Sequence, residues 1–328
     1  MGRGTTGAEG EPTTEALRSW VTAHAAGVPL PGRGRTWERL STLAGVAGED
    51  LALARLVEGH LDALAILAEA GVAADGGAVR GVWAARDATD HLRATRGPDG
   101  WRVRGRKPFC SGAHTLDVAL VTAEADDGSR LFAVEVAAPG VSVEPGTWPA
   151  VGMADSDSPT VVFDAVPAEP VGPPGFYTGR PGFWWGAIGV AACWWGGIRG
   201  LLTAVADHLA AVEPDATDLA GFGVVAARCE SAGQTLRWAA GEIDGTARLA
   251  DPIPVLRRTA RLTRETVHAA GTAALAGAAA AGGARPLCLD AAQSRRSADL
   301  YAYLSQHHPG RDAAALARDL LELRLPPP

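Results

Sequence analysis

The order in which the sequence patterns follow one another limits the possible folds of this chain more than any other feature. Residues 49–69 carry apolar side chains at helical spacing. Short β-like runs separated by turn residues follow from about Gly76 to Gly172, and long segments rich in alanine and leucine begin after Pro181. Because helices and strands are segregated along the chain, the pattern argues against an alternating βαβ fold. It predicts an α+β protein with a helical N-terminal segment, a central antiparallel β-barrel-like domain and a C-terminal helical bundle.

Composition and turn residues place the boundaries between these parts. Residues 1–14 are small, polar and glycine-rich, which is typical of a disordered terminus, and residues 15–75 form a shortened N-terminal helical domain. The β domain covers residues 76–172, with Asp126-Asp127-Gly128 as the turn of a hairpin. Residues 173–328 form the bundle. Its predicted helices cover residues 181–211, 219–243, 253–280, 291–304 and 311–323.

Charge and cysteine content argue against several classes of function. A formal net charge of −7 gives no reason to expect nucleic acid or an anionic membrane as a partner. The four cysteines are far apart and form no C-x-x-C, which fits a reducing cytoplasm and neither a disulfide framework nor a zinc site. Histidines are scattered except for His307-His308, so no metal is expected. The longest apolar run, residues 183–198, is too short for a membrane span and predicts a buried helix.

Several motifs in the middle of the chain have a recognisable order and spacing. The stretch Gly105-Arg106-Lys107-Pro108-Phe109-Cys110-Ser111-Gly112-Ala113 is followed by Val151-Gly152-Met153 and then by Val162-Phe163-Asp164-Ala165-Val166-Pro167. A segment from Gly186 to Gly200 then opens the bundle. Together these motifs, over roughly residues 50–310, resemble the acyl-CoA dehydrogenase family. The chain is similar to a divergent, N-terminally shortened member of that family.

The resemblance implies a flavin cofactor, with FAD as the first expectation. In the family, the aromatic residue at the position of Phe109 packs against the isoalloxazine ring, and the hydroxyl at the position of Ser111 bonds near N5. An extended strand would place both side chains on one face, because side chains alternate with period two. Val82 and Trp83 fall where the family meets the flavin pyrimidine, so their backbone groups are expected to contact the ring. Without the family context, Phe109 would be core and Ser111 a turn residue.

Two departures from the family leave the cofactor open. Only Thr89-Asp90 remains of the family's Thr-Glu-Pro-x-x-Gly-Ser-Asp motif, and Thr89 is expected to face the substrate. The Arg-x-x-Phe-Gly turn that holds the FAD diphosphate in the family has only the echo 220–223, which lacks the arginine. FMN or no flavin therefore stays possible beside FAD. Arg296, in a stretch similar to the family's Arg-Asp-Ala, is the expected cofactor-binding residue of the bundle.

The catalytic base is not assigned by the sequence. Dehydrogenases of the family often place a glutamate nine residues after the arginine, and here that position is Ser305, whose pKa is far too high for proton abstraction. Glu230 and Glu242 lie on an earlier bundle helix, where some family members carry the base, but both also fit solvated helix faces. His307 and His308 fit either an acid–base role or the charge-favoured end of a helix.

Two adjacent tryptophan pairs, Trp184-Trp185 and Trp194-Trp195, lie about three helical turns apart. They are interpreted as core or subunit-interface residues, or as the lining of a pocket for a bulky or aromatic substrate, with Trp185 as the substrate-contacting candidate.

Three functions remain open. The first is α,β-dehydrogenation of an acyl-type substrate, the second is flavin-dependent monooxygenation on the same fold, and the third is a redox-inactive binding or scaffold protein. The resemblance implies a homodimer or homotetramer that takes a small-molecule substrate and works with an electron-transfer or reductase partner.

Overall fold

The computed structural model describes residues 11–85, 92–282 and 284–322. The chain divides into two compact units. The first comprises Met1–Gly27, Arg55–Ala150 and Ala154–Phe183, and the second comprises Val28–Ala54, Val151–Met153 and Trp184–Pro328. The prediction of an α+β protein with a central β domain and a C-terminal helical bundle is confirmed.

Three helices precede the strands. They are α1 (Glu11–His24), followed by a 3-10 turn (Ala25–Gly27), α2 (Thr36–Glu49) and α3 (Leu51–Glu69). Helix α1 therefore begins at Glu11, within the stretch expected to be disordered. Helix α2 was not expected, because Gly45 and Gly48 interrupt its apolar periodicity.

Within the described residues, seven strands form one sheet. They are β1 (Arg80–Trp83), β2 (Arg93–Gly97), β3 (Gly100–Lys107), β4 (Val118–Ala125), β5 (Gly128–Glu135), β6 (Val141–Val143) and β7 (Val161–Val171). The pairings run β4-β2-β3-β7-β5 and return to β4, which closes a small barrel. The β4–β5 hairpin turns at Asp126-Asp127 as predicted. The antiparallel description needs one correction, because β1 and β2 both pair with β4 in parallel.

The described residues after β7 are helical apart from short connections. The helices are α4 (Phe176–Gly179), α5 (Gly182–Ala211), α6 (Ala216–Gly245), α7 (Ile253–Gly282), α8 (Ala284–Leu289), α9 (Ala291–Leu304) and α10 (Pro309–Glu322). Asp215 caps α6 through a capping box with Asp218. Helix α5 is long and apolar enough to cross a membrane, but 72% of its most apolar window is buried in the protein, as expected of a core helix.

Within the second unit, α5 approaches α2 at two glycines. A Cβ atom on Gly196 or Gly200 would lie 2.3 Å from the carbonyl oxygen of Ala44 or Gly48, respectively. Backbone atoms of a packed helix cannot move aside as a flexible side chain can. Glycine at these positions therefore sets the distance between the two helices.

We expect Gly200→Ala to lower the free energy of unfolding by roughly 1 to 3 kcal/mol, because the new methyl group overpacks the α2–α5 contact. The matched control is Gly241→Ala on α6, where a new Cβ meets nothing within 4 Å. That control should raise stability by roughly 0.5 to 1 kcal/mol through helix propensity alone. Urea denaturation of both variants measures the contrast, and equal effects would show that the glycine contact does not limit packing.

Candidate functional site

The turn from Lys107 to Ser111 in the first unit carries the two residues expected to meet a flavin ring. Strand β3 ends at Lys107, and Phe109 adopts a left-handed backbone with φ of 58°. Its side chain is 48% exposed, although it is a large aromatic. The extended conformation expected for these residues is therefore wrong. A tight turn, with the Ser111 N–H donating to the Phe109 carbonyl at 3.2 Å, presents the segment instead.

A strained, exposed aromatic residue requires support from its surroundings. A left-handed backbone costs an L-residue roughly 1 to 2 kcal/mol, and such residues persist where the neighbouring structure fixes them. Here the flanking Cys110 is fully buried, and its N–H donates to the carbonyl oxygen of Pro159 at 3.0 Å. The Phe109 ring is thus held outward by contacts of its neighbours rather than by its own packing.

The Ser111 hydroxyl ends a chain of three serine hydroxyls. Ser158 Oγ donates to Ser111 Oγ at 2.8 Å and lies 2.9 Å from Ser156 Oγ, and both Ser156 and Ser158 are buried. Since Ser111 Oγ accepts from Ser158, its own proton is free to be donated elsewhere. The chain therefore orients Ser111 as a donor.

The Trp83 side chain fixes the backbone of Ser111. Its side chain is 1% exposed, and its Nε1–H donates to the Ser111 carbonyl oxygen at 2.9 Å. The ring also packs edge-on against Phe163, with 6.4 Å between centroids. The Trp83 side chain thus holds the Ser111 turn, and only its backbone is left for the ligand contact predicted from the sequence.

Val82 lies on β1 beside Trp83, and its side chain packs against the apolar core of the first unit. Among the described residues, β1 pairs only with β4, so one edge of this short strand is not covered by another strand. That placement agrees with a backbone contact from Val82. Thr89, the expected substrate residue, lies outside the described residues.

Asp157 joins the Ser111 turn to the loop after β6, and sequence reasoning missed it. Its backbone is left-handed, with φ of 43°, and its carbonyl oxygen accepts from Gly112 N and Ala113 N at 2.8 and 3.2 Å. Its carboxylate accepts from the His114 backbone N–H at 2.8 Å and lies 3.0 Å from His114 Nδ1. The sequence signal was weak, because Ser-Asp-Ser before a proline also fits an ordinary turn.

Arg296 lies in the second unit, in a small cleft of about 260 Å³ between α2 and α9. Glu49, Asp50 and Asp299 also line this cleft. The Nε atom of Arg296 is buried and has no hydrogen-bond partner among the described residues. A cation with unused donors agrees with a role in holding an anionic group, whereas the three nearby carboxylates oppose it. The cofactor role of Arg296 therefore stays a prediction.

Asp299 is the buried acid of this cleft. Its Oδ1 accepts from the Met153 backbone N–H at 2.5 Å, and its side chain is 8% exposed. Burial raises the pKa of Asp299, and the nearby charge of Asp50 adds to the effect, against opposing contributions from the Met153 hydrogen bond and Arg295. Since the folded pKa lies above the unfolded value, this group makes folding less favourable as pH rises past about 4.

We expect Asp299→Asn to remove that penalty, because the asparagine oxygen can still accept from Met153 N–H without a buried charge. The variant should be at least as stable as the native protein at neutral pH, and its stability should fall less as pH rises from about 4 to about 6. Urea denaturation across this range is the measurement. A large loss of stability at neutral pH would mean that the charge of Asp299 is required by the fold.

His307 is buried in the second unit between two carboxylates. Its Nε2 lies 2.8 Å from Glu265 Oε2 and its Nδ1 lies 3.3 Å from Asp312 Oδ2. The His268 ring is 4.5 Å away, and burial lowers the pKa of His268, with the electrostatic interaction with the neighbouring His307 ring as a further cause. Both ring nitrogens of His307 therefore face acids, as expected for a residue that holds α7 to the start of α10. His308 is exposed.

Of the three remaining base candidates, two are engaged within the second unit, and the third, Glu230 on α6, is exposed. Ser305 ends α9, is exposed, and donates its hydroxyl to the Tyr301 carbonyl oxygen at 2.8 Å. Glu242 on α6 lies 3.8 Å from Arg258 on α7 and is partly exposed. Neither residue has the burial or the partners that would prepare it as a proton acceptor.

The tryptophan pairs belong mainly to the packing of the second unit. Trp194 is fully buried, with the Arg264 guanidinium 4.3 Å from its ring centroid. Trp195 donates its Nε1–H to the Cys229 carbonyl oxygen at 3.0 Å. Trp185 is half-buried, and its ring lies close enough to Gly32 that a Cβ there would be 3.3 Å away. A substrate contact of Trp185 stays a prediction.

Within the described ranges, no group of three or more His, Cys, Asp or Glu side chains is placed to hold a metal ion. The four cysteines form no disulfide, and only Cys288 is exposed. Burial raises the pKa of the Cys229 thiol to about 11, so this thiol is protonated and unreactive at neutral pH.

Residues 84–166 match the family described as acyl-CoA dehydrogenase, middle domain. A search of curated proteins finds no match. The family match covers the strands and loops that present Phe109, Ser111 and the serine chain. It confirms the resemblance inferred from the motifs in the middle of the chain.

Solved structures share the fold over nearly the whole chain. FMN-bound TdsC from Paenibacillus sp. A11-2, a dibenzothiophene monooxygenase, aligns with a TM-score of 0.77 at 20% identity over 96% of each chain. KijD3 in complex with dTDP aligns with a TM-score of 0.79 at 19% identity, over 95% of this chain and 89% of that chain. A nitrososynthase from Micromonospora carbonacea var. africana gives 0.78 at 21% identity, over 92% and 88%.

Proposed function

We propose that this chain, which has the acyl-CoA dehydrogenase-like fold and carries that family's middle domain, is a flavin-dependent monooxygenase that uses FMN. The observation that carries the proposal is the Phe109–Ser111 turn. An aromatic ring is held outward by a strained backbone, and two residues later a hydroxyl is oriented as a donor by Ser158. A flat aromatic cofactor with a polar edge requires this pair of contacts.

The residues present fit a flavin ring. The Phe109 side chain is half-exposed and offers an apolar face, while Ser111 offers a donor proton beside it. The backbone of Val82 and Trp83 lies on β1, which pairs with β4 and with no other strand among the described residues. Residues 220–223 lie within α6 and not in a turn, and they include no arginine. This favours FMN over FAD, since the family resemblance implies an arginine at that place to hold the FAD diphosphate.

Monooxygenation is favoured over α,β-dehydrogenation by the state of the base candidates. Dehydrogenation requires a group that removes an α-proton, whereas Ser305 is an exposed serine and Glu242 is near Arg258. FMN is bound by TdsC, a monooxygenase, and by KijD3 in a second complex. These similarities support the proposal at the level of the fold.

When bound in reduced form, FMN supplies the electrons and the dioxygen activation that monooxygenation requires. Phe109 then orients the ring, and the Ser111 hydroxyl donates a hydrogen bond to its polar edge. Ser156, Ser158 and the Trp83 indole keep that hydroxyl in place. Such preorganised donors contribute to catalysis because they need no reorientation during the reaction.

The test is flavin titration of the purified protein, with oxidised and with chemically reduced FMN and FAD. We expect reduced FMN to bind and Ser111→Ala to weaken its binding by about tenfold, as one lost hydrogen bond would. The matched control is Ser231→Ala on α6, whose hydroxyl only bonds the Ala227 carbonyl oxygen of its own helix.

Other outcomes separate the alternatives. Oxygen uptake with incorporation of one oxygen atom into an added aromatic compound, when a flavin reductase is supplied, supports the monooxygenase. Tight FAD binding with reduction of that FAD by an acyl-CoA would overturn it in favour of a dehydrogenase. A protein that takes up neither flavin in either redox state would be a redox-inactive binding homologue.

A further inference from the structure

A groove of about 1560 Å³ in the first unit has no role in the proposed flavin contacts. It runs between α1 and the loops on either side of the Ser111 turn. Its wall includes Arg18 and Thr22 from α1, His114 and Asp157 beside the turn, and Trp148 and Pro159 from the loop after β6. Asp157 and Pro159 flank Ser158 in sequence, so one wall of the groove adjoins the serine chain that ends at Ser111.

Asp157 fixes the tautomer of the neutral His114 ring. The carboxylate accepts the His114 backbone N–H at Oδ2, 2.8 Å away, and its Oδ1 lies 3.0 Å from Nδ1. A carboxylate can only accept, so Nδ1 carries the proton in the neutral ring. Nε2 is then an acceptor. The His114 side chain is 64% exposed and lines the groove, so Nε2 is the ring nitrogen available to a ligand.

The other polar groups of the wall are mostly used by the protein. Trp148 Nε1 donates to the Ala154 carbonyl oxygen at 3.2 Å, and the indole is the large aromatic group of the wall. Arg18 bonds Asp117 at 2.8 Å and the Thr115 carbonyl oxygen at 3.0 Å.

The acidic groups of the lining disfavour an anion. Glu144 pairs with Arg106, while Glu15 and Asp155 add two further acids. With Asp157 engaged by His114, the groove has no concentration of positive charge that would hold a phosphate or carboxylate.

We propose that this groove binds a neutral, planar aromatic compound through Trp148, with a hydroxyl or ring N–H of the compound donating to His114 Nε2. The proposal that this groove is a binding site depends only on the residues that line it. That its occupant is the substrate of the monooxygenase rests on the proposed function and on the adjoining serine chain.

Isothermal titration of the full chain, without flavin, with 2-naphthol and with 2-methoxynaphthalene tests the proposal. The two probes have the same ring system, and only naphthol can donate. We expect naphthol to bind about tenfold more tightly, the size of one hydrogen bond to a prepared acceptor. His114→Leu should abolish the difference, and Trp148→Leu should weaken both probes alike. His208→Gln on α5 should change neither affinity.

The Asp157→Asn variant tests the His114 tautomer directly, because its expected effect is on the difference between the two probes and not on binding itself. The asparagine oxygen would take over the His114 backbone N–H, so its NH₂ group would face Nδ1 and donate to it. That reverses the tautomer and turns Nε2 into a donor. The ratio of the affinities for 2-naphthol and 2-methoxynaphthalene should then fall to about one, while both probes still bind. Equal affinities of the two probes for the native protein, or a preference that survives His114→Leu, would overturn the proposal.

The same titrations separate this inference from the proposed function. If the protein binds naphthol as expected but binds no flavin, the result supports the groove as a binding site and overturns the proposed monooxygenase function. If FMN competes with naphthol for the groove, the groove is part of the flavin site and the substrate assignment is wrong. Simultaneous binding of FMN and naphthol supports both.

Discussion

Phe109→Gly is expected to weaken FMN binding by about tenfold to a hundredfold while the folded protein loses no stability. The binding loss follows from removing the aromatic face that packs against the flavin ring, a contact of roughly 1.5 to 3 kcal/mol. Stability is preserved because the native φ of 58° is strained for phenylalanine and relaxed for glycine. The phenylalanine side chain is 48% exposed, so little packing is lost.

Two measurements on the same variant check this prediction. Flavin titration gives the affinity, and urea denaturation gives the free energy of unfolding, which should be unchanged or higher by up to about 1 kcal/mol. Trp238→Gly on α6 is the contrasting control, since Trp238 is also partly exposed but lies in a helix. That control should lower stability through helix propensity and leave FMN binding intact. A Phe109→Gly protein that is clearly destabilised would show that the ring is held by packing and not strained.

The sequence alone predicts the helices of the bundle best, for a physical reason. Predicted segments 253–280 and 291–304 correspond to α7 (Ile253–Gly282) and α9 (Ala291–Leu304) because alanine and leucine favour helix in almost any surroundings. Helix α2 escaped prediction because Gly45 and Gly48 weaken its helical pattern, whereas the close approach of α2 to α5 depends on Gly196 and Gly200 of α5. Glycine in a helix therefore weakens the local signal that prediction uses, whether or not the packing requires it.

The candidate site shows more strongly what local sequence patterns fail to predict. Phe109 and Ser111 were identified by their motif, but their conformation was not, since phenylalanine rarely adopts a left-handed backbone and nothing nearby in sequence reveals it. The groups that hold them, Ser156, Asp157 and Ser158, lie more than forty residues downstream by number. Their role follows from the pairing of β3 with β7, which brings the two loops together. The local pattern therefore selects Phe109 and Ser111 as candidate contacts, and the fold shows which residues support them.

Arg180→Leu is expected to lower the free energy of unfolding by about 3 to 5 kcal/mol, because it removes the buried cation that pairs with the largely buried carboxylate of Glu69. The Arg180 side chain is 2% exposed, bonds Glu69 at 2.5 Å and lies 3.7 Å from Asp62. Its guanidinium also lies 5.5 Å from the ring centroid of Tyr177. Glu69 further accepts the Gly182 backbone N–H at 3.0 Å, so the network fixes the chain before α5.

The control for this prediction is an ion pair that is exposed to solvent. Arg35 and Glu38 are 62% and 48% exposed, and Arg35→Leu should cost less than about 1 kcal/mol, because water already solvates both charges. The double variant Arg180→Leu with Glu69→Leu should recover much of the lost stability, since the unpaired carboxylate and not the missing attraction causes most of the loss. Urea denaturation of the three variants decides the point. If the double variant is as unstable as Arg180→Leu, the Arg180 side chain stabilises the first unit mainly through Asp62 and Tyr177, and Glu69 serves to hold Gly182.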